Sequence, residues 1–221
     1  MNEKIKDGPF KEQGPFEGYY SLGTYKDGKK HGPFKIFDEN DQVYFETTYH
    51  NGEFHGLSKH YNGKGKTVQE GSYVNGKQDG FWKYYFDNGN LESEGTYKDG
   101  EIYGLFKYYF ENGQLKEEIT IKDGKKDGLH KIYYDNGKLS KEGIFENGIP
   151  SGLFKHFYKN GNIEKEGSYN YGLLRDVKNG HWKHYYENGN LECEGSYDRN
   201  LPYGIWKYYD ENGILIETKT H

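Results

Sequence analysis

Alanine is missing from this 221-residue chain, and cysteine, methionine and tryptophan are scarce, with one Cys, one Met and three Trp. A chain with no alanine and 32 glycines is poorly suited to helices, since alanine is the strongest helix former and glycine among the weakest. The lone Cys193 has no disulfide partner and no CxxC context, so it reads as a buried or half-buried free thiol. No apolar run approaches membrane-spanning length, and the start Met-Asn-Glu-Lys-Ile-Lys-Asp-Gly has no hydrophobic export segment, so the expected location is the cytoplasm. Positive charge is in deficit, with 30 Lys plus Arg against 35 Asp plus Glu and a formal net charge of -5. That balance argues against nonspecific nucleic-acid binding, and no polybasic block longer than Lys64-Gly-Lys66 favours a membrane surface. GxSxG, HExxH, P-loop and dinucleotide fingerprints are all absent, so neither an enzyme nor a cofactor is expected.

What is present is aromatic and periodic. Twenty-four tyrosines bring the aromatic content to 18%, too much for a disordered chain and well suited to strands. Gly32, Gly56, Gly80, Gly104, Gly128, Gly152, Gly180 and Gly204 lie 24 residues apart, with one interval stretched to 28. Such a period marks a repeat architecture whose units stack on their neighbours. Three residues after each anchor glycine stands a lysine, from Lys35 to Lys207, and five after it an aromatic, from Phe37 to Tyr209. Fourteen after it stands a glutamate in seven units, from Glu46 to Glu194, with Thr218 in the last. The organisation read from this is one repeat domain over 1–221: a degenerate unit at 8–31, regular units over 32–169, an insertion at 170–179 and units over 180–221.

Asn-Gly and Asp-Gly dipeptides recur twice per unit, for example Asn88-Gly89 and Asp99-Gly100, and predict type I′ hairpin turns. With Asn88-Gly89 as a two-residue loop, Phe86 faces Leu91, Tyr84 faces Ser93, Lys83 faces Glu94, and Trp82 faces Gly95. The lysine and glutamate columns then meet as cross-strand ion pairs that set register. The same register lays rings over bare glycines: Trp82 over Gly95, Phe154 over Gly167, Trp182 over Gly195. Alternation puts Trp82, Tyr84, Phe86, Leu91 and Tyr97 on a core face and Phe81, Lys83, Tyr85, Glu92, Glu94 and Thr96 on a solvated one. The fold class is therefore all-β, an elongated, solenoid-like repeat forming a single antiparallel sheet of about nine stacked 24-residue β-hairpin units. At roughly 9.6 Å per unit it would extend on the order of 80 Å and leave two open edge strands, which allows edge-to-edge self-association.

The pattern Gly-x-Trp-Lys-Tyr-Tyr-x-x-Asn-Gly-x-Leu-x-x-Glu-Gly-x-Tyr-x-x-Gly at 80–100 and 180–200 resembles the MORN repeat variant of bacterial proteins, the group labelled YwqK-like antitoxins. The resemblance covers about residues 8–221. It implies stacked hairpins used as a binding scaffold, and for some members an antitoxin or immunity role. Two interruptions stand out: Asn62-Gly63-Lys64-Gly65-Lys66 lacks the Asn-Gly turn, and four extra residues lie within Asn170 to Asn179. The rings also resemble, more distantly, the aromatic hairpins of choline-binding cell-wall repeats.

These readings converge on a noncatalytic scaffold for a protein partner, a toxin or another protein, with tyrosine and tryptophan supplying contact area. The alternative is an aromatic platform for lipid head groups or glycans at a membrane or cell surface. Candidate binding residues are those that depart from the columns, Phe54, His55 and His60 with Leu173, Leu174, Arg175 and Asp176, together with the ring column Tyr85, Tyr109 and Tyr133. The histidine column His60, His156 and His184 alternates with Tyr and Ile in other units and reads as packing. Equivalent positions in neighbouring units lie roughly 9.6 Å apart, too far for one metal ion, so no metal site is expected.

Overall fold

The computed structural model describes residues 7–169 and 177–221. Twenty-one strands and no helix occur among them, assigned to one antiparallel sheet, so the chain is an all-β repeat of stacked hairpins. It clusters into two compact units, Met1–Phe106 with Glu111–Gly113, and Lys107–Phe110 with Gln114–His221. In the first, each repeat is a hairpin such as Gly80–Tyr85 with Leu91–Lys98. In the second, the strands Leu139–Glu146, Ile149–Phe157, Ile163–Tyr169, Lys178–Tyr185 and Leu191–Asp198 pair in succession.

Two turn types alternate, where the dipeptides had predicted one. Asp99 and Gly100 have φ of 52° and 90°, the type I′ signature, and the same holds at Asn51-Gly52, Asn75-Gly76 and Asn147-Gly148. At Asn88-Gly89 only Gly89 has positive φ; its N–H donates to Phe86 O at 2.8 Å, and Phe86 N–H donates to Asn90 O at 2.9 Å. This is a turn followed by a left-handed glycine bulge, which makes the loop one residue longer. Tyr85 therefore faces Leu91 in place of the expected Phe86, while Trp82, Lys83 and Tyr84 keep the expected partners. Asn62 heads the same turn, with Gly65 at φ 71° in the bulge position and Gly65 N–H on Asn62 O. The apparent interruption at 62–66 is thus an ordinary repeat turn in altered sequence.

The anchor glycines owe their regularity to backbone conformation. Gly80 has φ 89° and Gly152 has φ 71°. At Gly152 the register slips between Glu142↔Lys155 and Ile144↔Ser151, so the anchor sits in a β-bulge that a residue bearing a Cβ would adopt at a cost.

Two residues after the anchors, rings fill the core face. Trp82 and Trp182 are fully buried, and Phe34, Phe106, Phe154 and Trp206 nearly so. Full burial of such a ring is worth about 1.5–3 kcal/mol. Trp182 Nε1–H donates to Ser168 O at 3.1 Å, which satisfies the polar end of the indole. On the other face Phe81 and Leu153 remain about half exposed, at 53% and 51%.

The rings do lie over glycines, but over those on the preceding side. Trp82 covers Gly71, Phe106 covers Gly95, Phe154 covers Gly143, Trp182 covers Gly167 and Trp206 covers Gly195. Trp82, Phe154 and Trp182 each have a glycine on both neighbouring strands, and the ring leans back onto the earlier one, whereas cross-strand pairing within the hairpin had pointed to the later one.

Candidate functional site

The first unit contains a cleft of about 310 Å³ on the core face. Alternation along Gly32–Phe37 and Val43–His50 presents Phe34, Ile36, Phe45 and Tyr49 to it. The two-residue strands Lys29–Lys30 and Glu53–Phe54 add Lys30 and Phe54, and the first hairpin adds Ser21 and the corner Gln13-Gly14-Pro15. Lys30 is the cation of the cleft. Its Nζ lies 4.6 Å from the Phe34 ring centroid, 5.2 Å from Phe10 and 5.8 Å from Tyr49, with Glu12 Oε2 at 3.7 Å. An aromatic pocket with one ammonium can take an apolar side chain and hold a neighbouring carbonyl or carboxylate.

Phe54 is the expected candidate that reaches this cleft. It stands 4.9 Å from Tyr49, 5.2 Å from Tyr73 and 5.7 Å from Phe45, centroid to centroid. In the following repeat Trp82 makes that bridge, 5.0 Å from Tyr73 and 6.3 Å from Tyr97. Position 58, where the ring column would continue, is a buried serine, so Phe54 supplies the missing ring. The break at Ser58 is the signal in the sequence that could have drawn attention here.

The other candidates do not line the cleft. His55 lies tilted against His50, ring centroids 5.5 Å apart, and its buried Nδ1 has no hydrogen-bond partner among the described residues. His60 packs edge-on to Tyr44 at 4.4 Å, and burial pushes its pKa down. Tyr85 and Tyr133 are tied into the scaffold, their hydroxyls donating to Glu70 at 2.7 Å and Glu118 at 2.9 Å, while Tyr109 occupies the same column half-buried. Leu173, Leu174, Arg175 and Asp176 lie outside the described residues.

Those hydroxyl bonds belong to a ladder on the more solvated face. Glu46 accepts from Tyr61 at 2.6 Å and lies 3.0 Å from Lys35 Nζ; Glu70 accepts from Tyr85 and lies 2.9 Å from Lys59 Nζ. Each glutamate thus joins the lysine of its own repeat to the tyrosine of the next. The tyrosine hydrogen bonds, then the lysines, hold Glu46 and Glu70 below the usual carboxylate range despite partial burial. Burial and the facing glutamate push Tyr61, Tyr85 and Tyr133 up to about 12. The expected lysine and glutamate columns face each other and close as ion pairs at Lys35–Glu46, Lys59–Glu70 and Lys107–Glu118, and the tyrosines extend them from one hairpin to the next.

No group of His, Cys, Asp or Glu among the described residues is placed to hold a metal ion, and no helix there is long and apolar enough to cross a membrane. The MORN repeat variant profile matches residues 30–51, 78–99, 102–123, 126–147, 150–171, 178–199 and 202–221. No curated protein matches the chain. Among solved structures it shows a loose likeness to the wild-type TCP10 domain of Danio rerio CPAP in complex with a peptide of Danio rerio STIL. That likeness has 14% identity over 96% of this chain and 99% of that one, with a TM-score of 0.26, too loose to transfer any property.

Proposed function

This chain belongs to the MORN repeat variant family, and from that premise we propose that it is a noncatalytic protein-binding scaffold, an antitoxin or immunity protein acting on a partner toxin in the cytoplasm. One observation carries the reading. Trp82, Phe154 and Trp182 pack closely on glycines, whereas in the first unit the core face opens into an aromatic cleft with Lys30 at its side. Pockets of this kind, lined by aromatics with one convergent charge, are where partner side chains anchor. Phe34, Phe45, Tyr49 and Phe54 grip an apolar side chain of the partner, and Lys30 meets the polar group beside it.

A native pull-down from the source organism with the full chain and a Phe54→Arg variant tests this. Stoichiometric recovery of one protein by the native chain, with clear loss by a variant that keeps its circular dichroism, supports the scaffold. Binding to liposomes or polysaccharide with no protein recovered would instead establish the platform for lipid head groups or glycans and end the antitoxin reading.

A further inference from the structure

The second unit carries a different surface on its core face. Cross-strand neighbours there run Lys141↔His156, His156↔Lys165, Lys165↔His184 and His184↔Cys193, so lysine and histidine alternate across four adjacent strands and Cys193 follows on the fifth. Lys178 joins them, with its Nζ 4.8 Å from the Trp182 ring and 4.7 Å from Tyr197. Lys165 is paired with Glu164 at 2.9 Å. Among the described residues, no carboxylate lies within ion-pair distance of Lys141 or Lys178; Lys141 instead stands over Phe154 at 5.6 Å and Tyr169 at 6.0 Å. Among the described residues, a chain of net charge -5 therefore holds three lysines against one carboxylate on a half-buried aromatic strip.

The two histidines report the same field. Burial first, then lysines 165, 141 and 178, push His156 down to about 4; burial, then lysines 178 and 165, do the same to His184, with Glu164 opposing in both cases. Both rings are neutral at physiological pH, and His184 Nε2 is buried without a hydrogen-bond partner among the described residues. The strip thus offers ammonium donors beside neutral imidazoles, and among the described residues only Glu164 pairs with one of the three lysines.

We propose that this strip binds an acidic, extended segment of a partner protein laid across the strands, with carboxylates three residues apart. The argument is charge complementarity and spacing. Lys141 and Lys165 are equivalent positions in successive repeats, two strands apart, which is roughly 9.6 Å. A polyproline II chain advances about 9.3 Å in three residues and returns its side chains to the same side. A Glu-x-x-Glu segment in that conformation places one carboxylate at each lysine, and Lys178 takes a third charge beside the Trp182 and Tyr197 rings. The inference rests on the protein-binding reading and names the chemistry of the ligand for a second surface.

Fluorescence anisotropy with dye-labelled (Glu-Pro-Pro) and (Gln-Pro-Pro) peptides of about four repeats, titrated with the full chain at low salt, tests it. The Glu peptide should bind at least about tenfold more tightly, the preference should shrink as salt rises, and a Lys141→Gln/Lys165→Gln variant should abolish it. Both lysines are partly exposed, so the variant should keep its thermal midpoint; Lys178→Gln gives an independent check. The His156 and His184 proton-detected titrations should shift upward when the Glu peptide is added. Equal binding of the two peptides, no binding up to millimolar, unaltered binding by both variants, or lysine-dependent binding to phosphatidylserine vesicles in place of peptide would overturn the proposal. A partner recovered by pull-down and fully retained by the double variant sinks this surface and leaves the scaffold reading standing.

Discussion

Ring and glycine make a matched pair at the level of single residues, and the exceptions show how tightly. A Cβ added to Gly167 would run into the Trp182 indole, although its backbone is not in the left-handed region, so the conflict is purely one of volume. Gly167→Ala should cost about 1–3 kcal/mol by overpacking, measured as a lower midpoint in urea. Where the ring column is broken, the glycine column is broken in the same place. Ser58 stands beside Thr47, and His130 is paired with Ile119; all four are buried. Ser58→Trp alone should destabilise by a similar amount, and adding Thr47→Gly should recover most of the loss in a double-mutant cycle. Both compensating residues lie 11 positions before their partners, as Gly71 does before Trp82. The direction in which the rings lean was therefore written in the sequence at these two exceptions, while the regular copies are silent because glycine flanks the ring on both sides.

Among the elements, the hairpins are joined by groups that titrate. Tyr61, Tyr85 and Tyr133 have folded pKa values raised above the ordinary 10, so the stability they contribute is complete below pH 10 and is lost as pH climbs towards about 12. Absorbance at 295 nm should show a class of tyrosines ionising about two units late, merging with the rest on unfolding in urea. His156 and His184 have the opposite sign. Their folded values are depressed, so their contribution is complete above pH 6.5 and falls away between pH 6.5 and about 4, with lysines 141, 165 and 178, Glu164 and Cys193 around them. Hydrogen exchange should show the strands Ile149–Phe157 and Lys178–Tyr185 losing protection in that window, and His156→Tyr/His184→Tyr should reduce the loss, since Tyr84 and Tyr208 fill the same column. The strands, their register through Lys83↔Glu94 and the two faces were legible in the columns. The second turn type was not, because Asn-Gly serves both turns: the backbone holds Asn75 at positive φ before Gly76 but leaves Asn88 at negative φ before Gly89. The cleft was legible only through the break at Ser58 that brings in Phe54, because the corner at Gln13-Gly14-Pro15 and the short side chain of Ser21 that shape it belong to no motif.

At the scale of the whole molecule, a repeat chain carries its interactions between neighbours, so damage should stay local. The turn edges show how neighbours recognise each other. Asn88 and Asn90 Nδ2 donate to Glu111 O at 3.3 and 2.8 Å, Asn160 and Asn162 to Glu187 O at 2.8 and 2.7 Å, and Asn188 and Asn190 to Glu211 O at 2.9 and 2.6 Å. In these repeats a bulged turn is thus fastened to the bulged turn of the next repeat. This makes the chain editable in one quantum. Excising residues 129–152 would join Gly128 to Leu153 and bring every column back into phase, and that shortened protein should fold with a cooperative melt. Removing half as many residues keeps the alternation of faces but sets a type I′ turn where an asparagine-fastened one is needed, and that product should aggregate or melt without cooperativity.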